Sequence, residues 1–350
     1  MTPQQLLRIS SGQPLIVVIA DGMHEPGLDV LGGLTPWQKA ECERMRMMTE
    51  DEICLVPEGL EASTDVAMLT LLGYDARKYI QCRAPFEALG VGLDVADNEI
   101  VVRCNLVKIM GDSIVSHCGD GVTNMEARDI VSLLNDNFAT ENMSFHAIEG
   151  FRCLLKVRGD GAVSQSTPPH DILQKPFPQY LIADECLLDL NVRANKLLAS
   201  RSFNANGIWL WGAGRLCDLP HFGLCAASIS GTPLVRGISR AAGIEVVDVA
   251  GADGTLNTNL FGKADAAIRA ARNHDIILVH VEACDEVSHQ RDTFAKIRMI
   301  KRIDDELVKP LQDYVLQNNA ALVVLSDHAT SSVTGRHLSI PVSCYSYNLK

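Results

Sequence analysis

Three apolar runs, far apart in the chain, each lead into residues that can hold a metal ion. PLIVVIADG closes on Asp21, IILVHVEACDEVSH carries Asp285 and His289, and ALVVLSDH closes on Asp327 and His328. A strand with one face in water alternates apolar and polar side chains, whereas a strand covered on both faces is apolar throughout. These runs therefore predict parallel strands with helices packed on either side. Helical segments fall between them: TPWQKAECERMRMM near the start, ECLLDLNVRANKLLAS in the middle, KADAAIRAARN before the second run and RDTFAKIRMIKRIDDELVKPLQDYVLQ after it. Alternating strands and helices indicate a doubly wound, mainly parallel α/β sheet. Ligands collect at the carboxyl ends of such strands, so Asp21, Asp285 and Asp327 are expected to share one edge.

Residues 91–172 read differently, with the short segments EIVVRCNLVKI and FRCLLKVRG followed by the proline-rich STPPHDILQKPFP. This stretch is expected to be an inserted α+β cap, with residues 1–90 and 173–350 forming the core. Trp209 and Trp211 in GIWLWGAG sit in an apolar run and are expected to be core residues.

A chain of 350 residues, 47% hydrophobic, can bury one large core or two moderate ones. Its formal charge of -12, from 31 Lys and Arg against 43 Asp and Glu, argues against a non-specific grip on nucleic acid or anionic lipid. A small anionic substrate would need local positive charge from metal ions or a few placed arginines. The 11 cysteines are odd in number and form no C-x-x-C pair, which indicates neither a disulfide framework nor a thiolate zinc site and fits a reducing compartment. MTPQQLLRISSGQP has no long apolar core before a cleavage site, and no stretch reaches the roughly 18 apolar residues of a membrane span. A cytoplasmic location is expected.

Carboxylates mixed with imidazoles suit zinc, manganese or a similar divalent ion, and the D-x-x-x-H spacing of Asp285 and His289 puts both on one side of a turn. His337 lies one loop beyond Asp327 and His328. Singly, each feature has a plainer reading as a cap, a surface turn or a loop histidine. Together, three strand-end acids and three histidines favour a metal site. The stretch VPEGLEASTDVAMLTLLGYDARKY adds a hydroxyl: Ser63 and Thr64 stand at the start of a helix-like segment, whose N-terminus presents backbone N–H groups and positive dipole. A hydroxyl there can cap the helix, and it is also placed to attack phosphorus.

As a set, ADG, LGGLTPW, VPEG, TDVAMLTLLGYDARKY, RAPFEALGVGL, RCNLV, TPPHDILQKP, GIWLWGAGR, HVEACDEVSH, SDH and His337 with PV beyond it resemble one family over most of the chain. It is the archaeal-type, cofactor-independent (2,3-bisphosphoglycerate-independent) phosphoglycerate mutases of the alkaline phosphatase superfamily. The resemblance implies one ion held by Asp285, His289 and His337 and a second by Asp21, Asp327 and His328, with the Thr64 oxygen bridging toward the second. The ions would be manganese, zinc or magnesium, with no organic cofactor. Where the family usually has GSDVA or GSDTA, this chain has STDVA, which puts Thr64 at the attacking position and adds a methyl that restricts χ1. By the same resemblance Arg83, Arg152, Arg236 and Arg240 would bind the phosphate and carboxylate of a small phosphorylated acid. The implied reaction interconverts 3-phosphoglycerate and 2-phosphoglycerate through a phosphoenzyme. A metal-dependent phosphatase or phosphodiesterase of the same superfamily, and a non-catalytic metal-binding relative, are the alternatives.

Overall fold

A computed structural model describes residues 2–8, 12–159 and 166–349; residues 1 and 9–11 of the N-terminal stretch, 160–165 of the expected cap, and 350 lie outside the described residues. The chain divides into two compact units, one formed by Met1–Ile80 with Leu219–Lys350 and the other by Gln81–Asp218.

The first unit is built on a seven-stranded sheet whose middle consists of the three apolar runs. Leu15–Ala20 lies between Ile276–Val281 and Ala321–Leu325 and pairs in parallel with both, Ile19 standing opposite His280 on one side and Leu325 on the other. Every residue of these three strands is buried, as their almost wholly apolar sequences predict. Ala226–Ile229 and the short Glu245–Val246 continue the parallel sheet on one side. On the other, Val342–Tyr347 and Thr49–Ile53 add two antiparallel strands.

The helices Leu260–Ala270, Thr293–Arg302 and Lys309–Gln317 contribute to the core on the sheet through Leu260, Ala264, Ala267, Met299, Ile300, Leu311 and Val315. Between the last two, Ile303–Val308 is π-helical. Asp304 in that turn is fully buried, and its carboxylate accepts the backbone N–H groups of Arg44 at 3.0 Å and Met45 at 2.8 Å. This contact bears on the segment TPWQKAECERMRMM, which forms only Pro36–Ala40 rather than the long helix expected. Thr35 and Gln38 close a capping box at its start, Glu41 turns left-handed at φ 54° at its end, and the chain re-forms as a single 3₁₀ turn over Met45–Met47 next to Asp304.

The second unit is an antiparallel five-stranded sheet covered by helices. Glu99–Met110 pairs with Ser113–Ser116, Arg152–Arg158 and Gly207–Arg215, and Met143–Glu149 extends it at the edge. Asn124–Phe138 and Glu185–Ala199 bury Ile130, Leu134, Ala194 and Leu198 against Leu106, Phe145, Leu155 and Ile208. Arg83–Gly90 brings Ala84 and Ala88 against Val101 and Leu154. The unit thus begins earlier and ends later than the expected 91–172, because GIWLWGAGR pairs with EIVVRCNLVKI and the helices on either side cover the result. Trp209 and Trp211 are buried in it as expected of core residues. Gly214 has to be glycine, since a Cβ there would overlap the Gln81 carbonyl. Cys82 and Cys217, 135 residues apart, are disulfide-bonded and join the two ends of this unit, a pairing that cysteine count and spacing did not foretell. Among the described residues no helix is long and apolar enough to cross a membrane.

Candidate metal centre

At the carboxyl ends of the central strands, all within the first unit, two groups of ligand atoms converge. The atoms of Asp285, His289 and His337 lie within 4.8 Å of one another, and so do those of Asp21, Asp327 and His328. Local structure explains each approach. Asp21 ends its strand directly and Gly22 follows at φ 64°, where a Cβ would run into Asp285 at 2.8 Å. Glycine therefore allows the chain leaving the first strand to turn against the helix Ala283–His289 that follows the second. Asp285 and His289 share one face of the short helix Ala283–His289. The two-residue ladder of Ala329–Thr330 with His337–Leu338 folds the loop after Asp327 and His328 back on itself and returns His337 to the site.

In the first group, His289 Nε2 is 3.0 Å from Asp285 Oδ2, His337 Nε2 is 3.4 Å from Asp285 Oδ1, and the two Nε2 atoms are 3.0 Å apart. The opposite nitrogens settle the tautomers. His289 Nδ1 donates to the Gly335 carbonyl at 2.9 Å and His337 Nδ1 to the Ala62 carbonyl at 2.7 Å, since a carbonyl only accepts. Each neutral ring then offers a lone pair at Nε2, and two lone pairs 3.0 Å apart call for a cation between them. Without an ion a proton takes that role: burial pulls the His289 imidazole down, but Asp285 more than offsets it and the group is pushed up to about 9. His337 is raised for the same reason.

In the second group, Asp21 Oδ1, Asp327 Oδ2 and His328 Nε2 are buried and have no hydrogen-bond partner, and His328 Nε2 is 3.5 Å from each of the two oxygens. The other atoms of these side chains are engaged. Asp327 Oδ1 accepts from the backbone N–H of Gly22 at 3.2 Å and of His328 at 2.8 Å, and His328 Nδ1 faces Thr330 Oγ1 at 3.2 Å. Burial, and then the neighbouring Asp327 and Asp285, raise the Asp21 carboxyl well above the usual range, so the group resists a bare negative charge there. Orphaned buried atoms, mixed oxygen and nitrogen donors, and crowded carboxylates all fit two divalent cations.

Thr64 begins the helix Thr64–Leu71, with Ser63 as its N-cap in extended conformation and making no capping bond through its side chain. Thr64 is buried, and its hydroxyl donates to Asp21 Oδ2 at 3.3 Å. The hydroxyl is thus at a helix N-terminus beside the second ligand group. The four arginines fall two in each unit. Arg236 is in the first unit, bonded to Asp248 at 2.7 Å and to the Ser230 carbonyl at 3.3 Å, and Arg240 is exposed near the end of the same helix. Arg83, 3.7 Å from Glu87, and Arg152, over the Phe151 ring, belong to the second unit.

Several residues behind the ligands escaped the sequence reading. His280 is the one polar residue in IILVHV, and that interruption of a buried strand was its signal. Its Nε2 lies 3.3 Å from Asp21 Oδ2, and burial lowers its pKa to about 4. Glu25 and Lys296 form a buried pair at 3.0 Å. Lys296 Nζ also donates to the Thr330 carbonyl at 2.6 Å, and Glu25 Oε1 accepts from Ser332 N at 2.7 Å, which ties down the loop between His328 and His337. No local pattern marks this pair.

A sequence model of the family described as 2,3-bisphosphoglycerate-independent phosphoglycerate mutase matches residues 53–204. The chain is 34% identical to the 2,3-bisphosphoglycerate-independent phosphoglycerate mutase of Methanothrix thermoacetophila, over 93% of this chain and 88% of that protein. It is 33% identical to that of Methanosarcina barkeri over the same shares. Among solved structures, a protein of Pyrococcus horikoshii superposes with a TM-score of 0.77 at 22% identity, over 95% of this chain and 87% of the other. The cofactor-independent phosphoglycerate mutase of Thermoplasma acidophilum does so with 0.56 at 21%, over 96% and 89%. These two structures bear out the α/β fold, and identity over nearly the whole length decides membership: the chain belongs to the family of 2,3-bisphosphoglycerate-independent phosphoglycerate mutases.

Proposed function

We propose that this protein interconverts 3-phosphoglycerate and 2-phosphoglycerate, with Thr64 carrying the phosphoryl group between the two positions. The observation that carries the reading is the Thr64 hydroxyl, 3.3 Å from Asp21 Oδ2 at the start of a helix and beside the ligand group of Asp21, Asp327 and His328, whose buried atoms Asp21 Oδ1, Asp327 Oδ2 and His328 Nε2 have no hydrogen-bond partner. Asp285, His289 and His337 would hold one divalent ion and Asp21, Asp327 and His328 the other, manganese, zinc or magnesium. When bound, the ions supply positive charge that favours an ionised hydroxyl and offsets the charge on the transferring phosphoryl oxygens.

The chain's own groups supply the rest. Thr64 Oγ1 bonds to phosphorus as the bond to the substrate oxygen breaks, and Asp21 Oδ2 is the acceptor within reach of the hydroxyl proton. Backbone N–H groups in the first turn of Thr64–Leu71 favour negative charge at that position. The substrate oxygen that loses phosphorus takes up a proton, the other hydroxyl of the glycerate gives one up as it takes the group from Thr64, and the proton passed to Asp21 Oδ2 returns to Oγ1. Arg83, Arg152, Arg236 and Arg240 are assigned to the phosphate and carboxylate, which their planar forks fit. The substrate is a small phosphorylated acid, neither nucleic acid nor membrane is a partner, and the site of action is the cytoplasm.

Incubating the metal-loaded protein with 3-phosphoglycerate and following 2-phosphoglycerate against free phosphate tests the reading. Formation of 2-phosphoglycerate with little free phosphate is expected. Phosphate release without 2-phosphoglycerate would replace the mutase by the phosphatase alternative.

A further inference from the structure

We infer that Thr330 is a positioning residue whose single hydroxyl sets one ligand in each metal group and thereby couples the two. The inference rests on the two-ion reading above.

Thr330 is fully buried, and its Oγ1 lies 2.6 Å from Asp285 Oδ1 and 3.2 Å from His328 Nδ1. A hydroxyl has one proton, and an ionised carboxylate only accepts, so the short contact takes that proton. Toward His328 the same oxygen can then only accept, which places the ring hydrogen on Nδ1. The neutral ring is left with its lone pair on Nε2, the atom 3.5 Å from both Asp21 Oδ1 and Asp327 Oδ2. Without the hydroxyl the preference reverses. Nδ1 loses its acceptor, whereas a hydrogen on Nε2 would point at two carboxylate oxygens and block the ligand position. Asp285 would also lose the donor to Oδ1, the oxygen 3.4 Å from His337 Nε2.

The hydroxyl is well aimed. Thr330 N donates to the His24 carbonyl at 3.1 Å, and its own carbonyl accepts from Lys296 Nζ at 2.6 Å, so the backbone is held on both sides. A β-branched side chain on a pinned backbone has little χ1 freedom. Thr330 touches no substrate in this account; it acts through Asp285 and His328.

The test compares the full-length parent with Thr330→Val, Thr330→Ala and Thr330→Ser by calorimetric titration with Mn²⁺, visible absorption of the Co²⁺-loaded forms, and thermal melting of the metal-free proteins. The parent is expected to take up two ions. Thr330→Val and Thr330→Ala are expected to weaken both by about 10- to 100-fold, the usual effect of losing a residue that orients a metal ligand, and to alter the Co²⁺ spectrum. Their metal-free melting should stay within a few degrees of the parent's, and Thr330→Ser should bring both affinities close to the parent's. Loss confined to one ion, unchanged affinities in the hydroxyl-free variants, or a serine variant no better than alanine would overturn the inference. A parent that takes up fewer than two ions would overturn the two-ion reading first and this inference with it, while two ions in the parent with no effect at Thr330 would leave that reading standing.

Discussion

His289, His328 and His337 each engage Nδ1 with an oxygen, the Gly335 carbonyl, the Thr330 hydroxyl and the Ala62 carbonyl, so that three Nε2 atoms face the site. Because protons compete for such atoms, ion affinity has a predictable pH dependence. Asp285 holds His289 protonated up to about 9 in the metal-free protein. Affinity of the Asp285, His289 and His337 group should rise as pH climbs to about 9 and level off above it. The same shift stabilises the metal-free fold. That contribution is complete below the unfolded imidazole value of 6.5 and is lost as pH rises through about 9, so stability from this group falls toward alkaline pH. Calorimetric titrations and metal-free melts across that range check both signs, and a flat affinity profile would contradict them. At Thr64 the expectation is chemical. Thr64→Ala should lower phosphoryl transfer roughly a thousandfold or more while both ions still bind, Ser63→Ala should be mild, and Thr64→Ser should match or exceed the parent. Acid quench during turnover followed by peptide mapping should find phosphate on residue 64; phosphate on Ser63 would move the nucleophile.

Among the elements, the loop from Ser326 to Leu338 does the most with the least regular structure. It supplies Asp327, His328, Thr330 and His337 and is held from outside by Glu25 and Lys296, which lie before the helix Pro36–Ala40 and in Thr293–Arg302. Removing the cation leaves the Glu25 carboxylate buried without a counter-charge. Lys296→Ala should therefore cost about 3–5 kcal/mol in urea unfolding, and Lys296→Met with Glu25→Gln should recover much of it. A loss within the scatter of surface substitutions would show that the pair does not hold the loop. The helix Pro36–Ala40 teaches the converse: its segment has the periodicity for a longer helix, yet the Asp304 carboxylate takes the N–H groups of Arg44 and Met45 and a helix does not continue through them. Tertiary hydrogen bonding overrode local propensity there.

For the whole molecule, the two units carry separate apolar cores, and the ends of the second are joined through Cys82 and Cys217. Titrating thiols in the denatured, unreduced protein should count 9 free cysteines rather than 11. Residues 81–218 expressed alone should melt cooperatively, a property expected of a unit with its own core, and a broad non-cooperative melt by circular dichroism would contradict it. Much was readable before folding was considered. Apolar runs are a local record of burial on both faces, so they announced the parallel strands, and the acids closing them announced the edge where the carboxylates and imidazoles converge. The spacing of Asp285 and His289 is local too, one turn of helix. What tertiary structure decided are contacts across long stretches of chain: the pairing of Gly207–Arg215 with Glu99–Met110, which moved both borders of the second unit, the bond between Cys82 and Cys217, and the meeting of His280 with Asp21 and of Glu25 with Lys296. Periodicity reports only that a side chain is covered. Which distant group covers it, and hence which hydroxyl gives one histidine its ligand lone pair, is set when the strands pair and the loops close over them.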